Sequence, residues 1–185
     1  IYGCDSGRYR LLYSTPYSPG FAMPVLHRVG DMNGDAKSEI VFDIQFCSTT
    51  SCTREGYILS WNAITGVFES LNNQPIIAEN GRLGVVDVDT DGVLELTVVS
   101  EPGANVSSGP RRTVIETWDW TGRNYILATR EESDARYRIH TLHDADNLLR
   151  RQSWPGALDA FREVRNSEDL LLWPAVPNET PILQA

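Results

Sequence analysis

Asp31-Met32-Asn33-Gly34-Asp35-Ala36-Lys37-Ser38-Glu39 places oxygen-bearing side chains at positions 1, 3, 5 and 9 of a nine-residue stretch. Asp87-Val88-Asp89-Thr90-Asp91-Gly92-Val93-Leu94-Glu95 repeats the arrangement 56 residues later, at Asp87 against Asp31. Each copy follows a short apolar run (Val25-Leu26 and Val29; Leu83 and Val85-Val86) and leads into another (Ile40-Val41-Phe42; Leu96-Thr97-Val98-Val99). Apolar runs of this length on either side of an Asx-Gly-rich turn predict strand, loop, strand. Two such units in matching surroundings mark an internal repeat.

The first unit opens with a strand near residues 25–30. After the acidic loop, Ile40, Phe42, Ile44 and Phe46 recur at period two, which predicts a strand with these residues on the core and Asp43 and Gln45 toward solvent. A polar loop bounded by Cys47 and Cys52 follows, then a third strand at Tyr57–Trp61, a turn at Thr65-Gly66 and a fourth strand at Val67–Leu71. The second unit keeps that order: a strand at 82–86, the loop, Glu95–Val99, a polar connection over 101–110, Thr113–Trp118, a turn at Thr121-Gly122, and Tyr125–Thr129. The turns Thr65-Gly66 and Thr121-Gly122 are again 56 residues apart. Residues 1–13 read as stray strands, a hairpin turning at Asp5-Ser6-Gly7 that matches the last turn of a preceding unit. Residues 14–24 form a proline-punctuated connection.

Beyond residue 132 the pattern changes, with Ser133–Ile139 either a last strand or a linker. Leu142, Ala145 and Leu148-Leu149 have helical spacing, with Asp144 and Asp146 expected in the first turn of a helix starting near Thr141. Pro155 suits the first turn of a second helix carrying Ala157-Leu158, Phe161 and Val164. Glu168–Trp173 is expected to form a third short helical stretch. Pro174, Pro177 and Pro181 make the end an extended tail. Domain organisation is therefore a β-repeat region over 1–132 and a helical hairpin with tail over 133–185.

The 185 residues suffice for a sizeable core, and 41% hydrophobic with 22% charged content is ordinary for a globular chain. A formal net charge of −9 argues against a nucleic-acid partner, which requires a basic patch. No apolar run is long enough to span a membrane as a helix. Of three cysteines, Cys47 and Cys52 are placed to close a small disulfide loop, which implies an oxidising compartment; a pair of free thiols is the alternative. Zinc lacks a second cysteine pair. Cys4 is left over, and no signal peptide is visible, as in a mature or shortened chain. Asn105-Val106-Ser107 and Asn178-Glu179-Thr180 fit glycosylation sequons.

The acidic loops suit a hard cation. Calcium takes about 6–8 oxygen ligands in a flexible shell, and carboxylate or amide side chains at alternate loop positions wrap their oxygens around one point. The candidate ligands are Asp31, Asn33, Asp35, the position-7 carbonyl of Lys37, and Glu39; and Asp87, Asp89, Asp91, the carbonyl of Val93, and Glu95. An EF-hand or dockerin loop shares the opening but needs an acid at position 12, where Phe42 and Val98 stand. A plain polar turn is the other alternative.

Val29-Gly30-Asp31-Met32-Asn33-Gly34-Asp35 through Glu39-Ile40-Val41-Phe42, and Val85-Val86-Asp87-Val88-Asp89-Thr90-Asp91-Gly92 through Glu95-Leu96, resemble the FG-GAP/VCBS repeats of integrin-α-like β-propellers. Trp61 before Thr65-Gly66, and Trp118 and Trp120 before Thr121-Gly122, stand near the later hairpin of each repeat. The resemblance covers residues 1–130. It implies a mainly β fold of two four-stranded antiparallel propeller-blade-like repeats, about 24–72 and 80–130, with calcium stabilising one loop of each. Two blades cannot close a ring of the usual four to eight, so the resemblance implies the remainder of a larger propeller, or self-association. Ala145-x-x-Leu148 through Trp154 to Ala157-x-x-x-Phe161 faintly resembles one tetratricopeptide hairpin; a helical cap is the preferred reading.

His140 and His143 are three apart with Asp144 and Asp146 nearby, a weak metal-site signal. No nucleophile-elbow, zincin or phosphate-loop motif occurs, so no catalytic residues are assigned and the chain is not expected to be an enzyme. The expected function is a calcium-binding, extracytoplasmic β-repeat module that binds a protein or glycan partner, with calcium mainly structural. The alternative is an ancillary domain of a secreted hydrolase.

Overall fold

The structure is a computed structural model that describes residues 1–15, 23–101, 103 and 109–173. These fall into two units, Ile1–Ser100 with Val114–Glu131, and Glu101–Thr113 with Glu132–Ala185. The proline-rich connection, both sequons and the tail fall largely or wholly outside the described residues.

In the first unit, β1 (Tyr2–Asp5) and β2 (Arg8–Leu11) form an antiparallel hairpin. Ser6 and Gly7 turn it at φ 51° and 77°, the left-handed region that glycine enters without steric cost. β3 (Met23–Gly30), β4 (Glu39–Cys47), β5 (Cys52–Asn62) and β6 (Val67–Ser70) lie side by side in chain order. A strand that the periodicity did not reveal, β7 (Ile76–Glu79), pairs with the first half of β5 and makes the sheet five-stranded. β8 (Arg82–Val86), β9 (Glu95–Ser100), β10 (Val114–Trp120) and β11 (Tyr125–Glu132) form a four-stranded sheet, again in chain order. Phe68 of β6 donates its N–H to the carbonyl of Leu12, one residue past β2, at 3.0 Å, and Tyr125 of β11 donates to Leu71, one past β6, at 2.8 Å. Successive hairpins are thus linked by the same hydrogen bond.

Apolar side chains of both larger sheets meet in one core. Val41, Ile58, Ile76 and Ala78 come from the five-stranded sheet, Leu83, Leu96, Val98, Trp118 and Tyr125 from the four-stranded sheet, and Met32 from the first acidic loop. A second cluster, Ile44, Tyr57 and Leu59 with Ile40, Phe42, Phe46, Phe68 and Tyr13 packed against it, covers the opposite face of β4 and β5. This corrects the one-sided reading of β4. Ile40, Phe42, Ile44 and Phe46 do share a face, but the other face is also covered, and Asp43 is 0% exposed rather than solvated. The run Ile40-Val41-Phe42 signals a strand covered on both sides, which alternation counted on one face cannot register.

A buried carboxylate needs partners. Asp43 has two: His27 Nε2 lies 2.7 Å from Oδ2, and Arg54 Nη1 3.0 Å from Oδ1. Pairing of β3 with β4 shifts between Leu26 and Arg28, so His27 is the extra residue of a β-bulge, a device that re-aims a side chain. Arg54 also donates to Gln45 Oε1 at 3.0 Å and to the Gly81 carbonyl at 3.1 Å. At the sheet end, Cys47 and Cys52 are register partners and form a disulfide; Cys4 is free and exposed.

The second unit holds α1 (Arg138–Arg150) and α2 (Trp154–Asn166), with Pro155 in the first turn of α2. α1 starts before Thr141, so Asp144 and Asp146 lie past its first turn. The residues at 168–173 form no third helix. Leu171 instead bridges Tyr137, accepting from Arg138 N at 2.9 Å and donating to the Arg136 carbonyl at 3.0 Å. Those tertiary bonds occupy the backbone groups that a helical turn would need. Arg138 then donates to the carbonyls of Val164, Arg165 and Ser167 at 2.7, 3.1 and 2.6 Å, satisfying the C-terminal end of α2. Among the described residues, no helix is long and apolar enough to cross a membrane.

Candidate metal centre

The two acidic stretches connect β3 to β4 and β8 to β9, closing at the pairs Gly30↔Glu39 and Val86↔Glu95. Their backbones follow the same course. Position 4 is left-handed in both (Gly34 φ 77°, Thr90 φ 65°), and so is position 6 (Ala36 φ 62°, Gly92 φ 88°). Each copy has glycine at one of these positions and a side chain at the other. A Cβ on Gly92 would touch nothing within 4 Å, so its substitution is a test of backbone conformation alone. Gly92→Ala is expected to cost about 1 kcal/mol, and Ala36→Gly to gain up to about 1 kcal/mol, in thermal denaturation. The reverse signs would rule out the shared left-handed geometry.

Hydrogen bonds curl the loop side chains inward. Asp31 Oδ2 accepts from Ala36 N at 2.9 Å, as Asp87 Oδ2 does from Gly92 N at 3.2 Å. Asn33 Oδ1 accepts from Asp35 N at 3.0 Å, and Asp89 Oδ1 from Asp91 N at 3.2 Å. Asp35 and Asp91 accept from Lys37 N and Val93 N at 2.9 and 2.8 Å. From the following strand, Glu39 Oε2 accepts from Met32 N at 3.0 Å and Glu95 Oε2 from Val88 N at 2.5 Å.

This folding-in gathers the carboxylates of Asp31, Asp35 and Glu39, with oxygens within 4.8 Å of one another, and likewise those of Asp87, Asp89 and Glu95. Either group could hold a metal ion. Asp91 lies outside the second group. Asn33 is engaged through the Asp35 amide, and Lys37 and Val93 enter through N–H groups that bond position 5.

Glu39 and Glu95 are the buried members, 0% and 3% exposed. Glu39 is fully partnered, since Ser60 Oγ donates to its Oε1 at 2.9 Å. Glu95 Oε1 and Asp87 Oδ1 are buried without a hydrogen-bond partner. Burial pushes the Glu95 carboxyl above its ordinary pKa, opposed by the Val88 N–H and reinforced by the charges of Asp89, Asp119 and Asp87. Two inward-facing oxygens lacking a donor amid further carboxylates are what a hard cation would satisfy, so the donor set fits one.

The loops are neighbours. Leu94 N donates to the Met32 carbonyl at 2.7 Å, and the hydroxyl of fully buried Tyr125 donates to the Leu94 carbonyl at 3.1 Å. Burial and the charges of Glu39, Glu95, Asp119 and Asp31 raise the Tyr125 pKa, placing that phenol beside both clusters. The motif did not contain Ser60, Asp119 or Tyr125. Pairs Ile40↔Leu59 and Leu96↔Trp118, continued by one residue, set Ser60 across from Glu39 and Asp119 across from Glu95. The available signal was a tryptophan directly after each, Trp61 and Trp120, packed on Phe68 and Tyr125 with ring centroids 5.2 Å apart in both cases.

Comparison with family models, curated proteins and solved structures returns no match. The site is therefore argued from its own geometry. His140 and His143 form no metal-type grouping among the described residues. His140 is 5% exposed, and its Nδ1 accepts from Arg136 N at 3.2 Å. Burial, then the Arg112 charge, hold its pKa below the ordinary histidine value, which fits a neutral ring that ties down the start of α1.

Proposed function

We propose that this chain is a calcium-stabilised β-repeat module of the FG-GAP/VCBS type, working outside the cytoplasm in binding or adhesion. Loops 31–39 and 87–95 are its calcium loops, and the two larger sheets are successive blades preceded by the outer hairpin of another. The observation that carries the reading is the matched pair of inward-curled loops, one with a buried glutamate oxygen lacking any donor. Oxygen-only donors favour calcium over softer metals, and a flexible shell of many protein ligands favours it over magnesium. The recurring hydrogen bond between successive hairpins supports the blade order. The disulfide is compatible with an oxidising compartment. An open groove of about 530 Å³, walled by Tyr2, Leu11, Tyr13, Leu26 and Phe42 with Ser14 and Thr15 beside them, has the mixed aromatic and hydroxyl lining that suits a protein side chain or a sugar face.

Thermal unfolding with calcium and with chelator tests this. At a calcium concentration about 100 times Kd, binding adds about 2.7 kcal/mol. Chelation is therefore expected to lower Tm by roughly 5–10 °C. Asp89→Ala removes most of that shift, whereas His143→Ala leaves it intact. A Tm indifferent to calcium would end the metal assignment.

A further inference from the structure

The loops share a backbone but differ in charge. The first carries Asp31, Asp35 and Glu39 together with Lys37; the second carries Asp87, Asp89, Asp91 and Glu95, with Val93 where the lysine stands. Lys37 Nζ lies 2.9 Å from Asp35 Oδ2, so an ammonium already sits on the loop's outer carboxylate. The rest of the first loop is equally satisfied. Asp31 Oδ1 accepts from Asn33 N and Gly34 N at 3.2 and 2.8 Å, its Oδ2 from Ala36 N, and Glu39 Oε1 from Ser60. In the second loop Asp87 Oδ1 and Glu95 Oε1 are buried without a donor. Where Ser60 would supply one, Asp119 adds another carboxylate.

We propose that the loops are unequal: loop 87–95, with Asp119 of β10 facing it, is the ion-dependent site, whereas loop 31–39 carries its own cation in Lys37 and stays closed without metal. This rests on the calcium reading of the loops and deepens it. The amide of Leu94 bonds the carbonyl of Met32, whose own N–H bonds Glu39. The first loop, its charge partly offset by Lys37, thereby offers a fixed edge against which the second loop closes when the ion arrives. Charge count is a principal control on the affinity of a calcium loop, which sets the order of filling.

Gly34 and Gly92 report separately on the two loops by their amide NMR signals. Calcium is titrated into the chelator-stripped chain, and into Lys37→Val and Asp119→Ser. In the unsubstituted chain Gly92 is expected to respond at least about tenfold lower in calcium than Gly34. Lys37→Val, which copies position 7 of the second loop, lowers the Gly34 midpoint about tenfold and leaves that of Gly92 in place. Asp119→Ser, which copies Ser60, raises the Gly92 midpoint alone. Gly34 responding together with or before Gly92, or a Gly34 midpoint unmoved by Lys37→Val, overturns the proposal while leaving calcium binding intact. No response at either glycine overturns the calcium reading and the proposal with it.

Discussion

Asp43→Ala lowers stability by about 3–5 kcal/mol, seen as a lower urea midpoint at unchanged slope. The carboxylate is fully buried, while the side chains of His27 and Arg54 are 19% and 22% exposed. Removing it strands a guanidinium and an imidazole that were placed by the start of β5 and by a β-bulge to meet it. The cost is chiefly that of a charge left without its counter-ion in a poorly solvated place. Asp43→Asn keeps an acceptor but not the charge and is expected to fall between alanine and the native residue. An Asp43→Leu, Arg54→Met double variant recovers much of the loss, because a buried ion pair replaced by apolar residues of similar size is often near neutral. A loss below about 1 kcal/mol for Asp43→Ala would mean that water solvates the group.

Gly81→Ala is expected to be at least as damaging, costing about 4 kcal/mol or more. A Cβ at Gly81 would lie 1.8 Å from the carbonyl oxygen of Val99, a backbone atom of the neighbouring strand. Val99 pairs with Arg82 at the start of β8, so relief requires opening the sheet where it begins. Gly56→Ala is the control. Its Cβ would come 2.4 Å from Leu83 Cδ2, the end of a flexible side chain that can turn away, for about 1–3 kcal/mol. Gly81→Ala also weakens calcium binding at loop 87–95, since β8 and β9 hold its ends, while Gly56→Ala has little effect there. Equal thermal losses for the two variants would refute the backbone-clash argument. Both large effects converge on Arg54, which bonds Asp43 and the Gly81 carbonyl.

Local chemistry was legible wherever near neighbours in the chain settle the conformation. The acidic loops close on their own side chains over two to five residues, so their position and inward curl follow from residue order. The Cys47–Cys52 link, the turn at Ser6-Gly7 and Pro155 at the start of α2 are local in the same sense. Two expectations failed where tertiary contacts outweigh local preference. Within Glu168–Trp173, Leu171 bridges Tyr137 and the stretch does not turn helical. Asp43 sits inside because the core between the two larger sheets, with Val41 and Ile58, covers the face that alternation assigned to solvent.

By itself, then, the sequence determined a mainly β chain with a helical end and two repeated acidic loops, because short-range turn chemistry and hydrophobic spacing suffice for that much. Only the tertiary structure decided which carboxylates lack a partner. Glu39 and Glu95 stand at the same position of the same motif, and both are buried. What separates them is the residue facing them from the next strand, Ser60 in one sheet and Asp119 in the other. That pairing joins residues more than twenty apart in the chain, and strand register sets it.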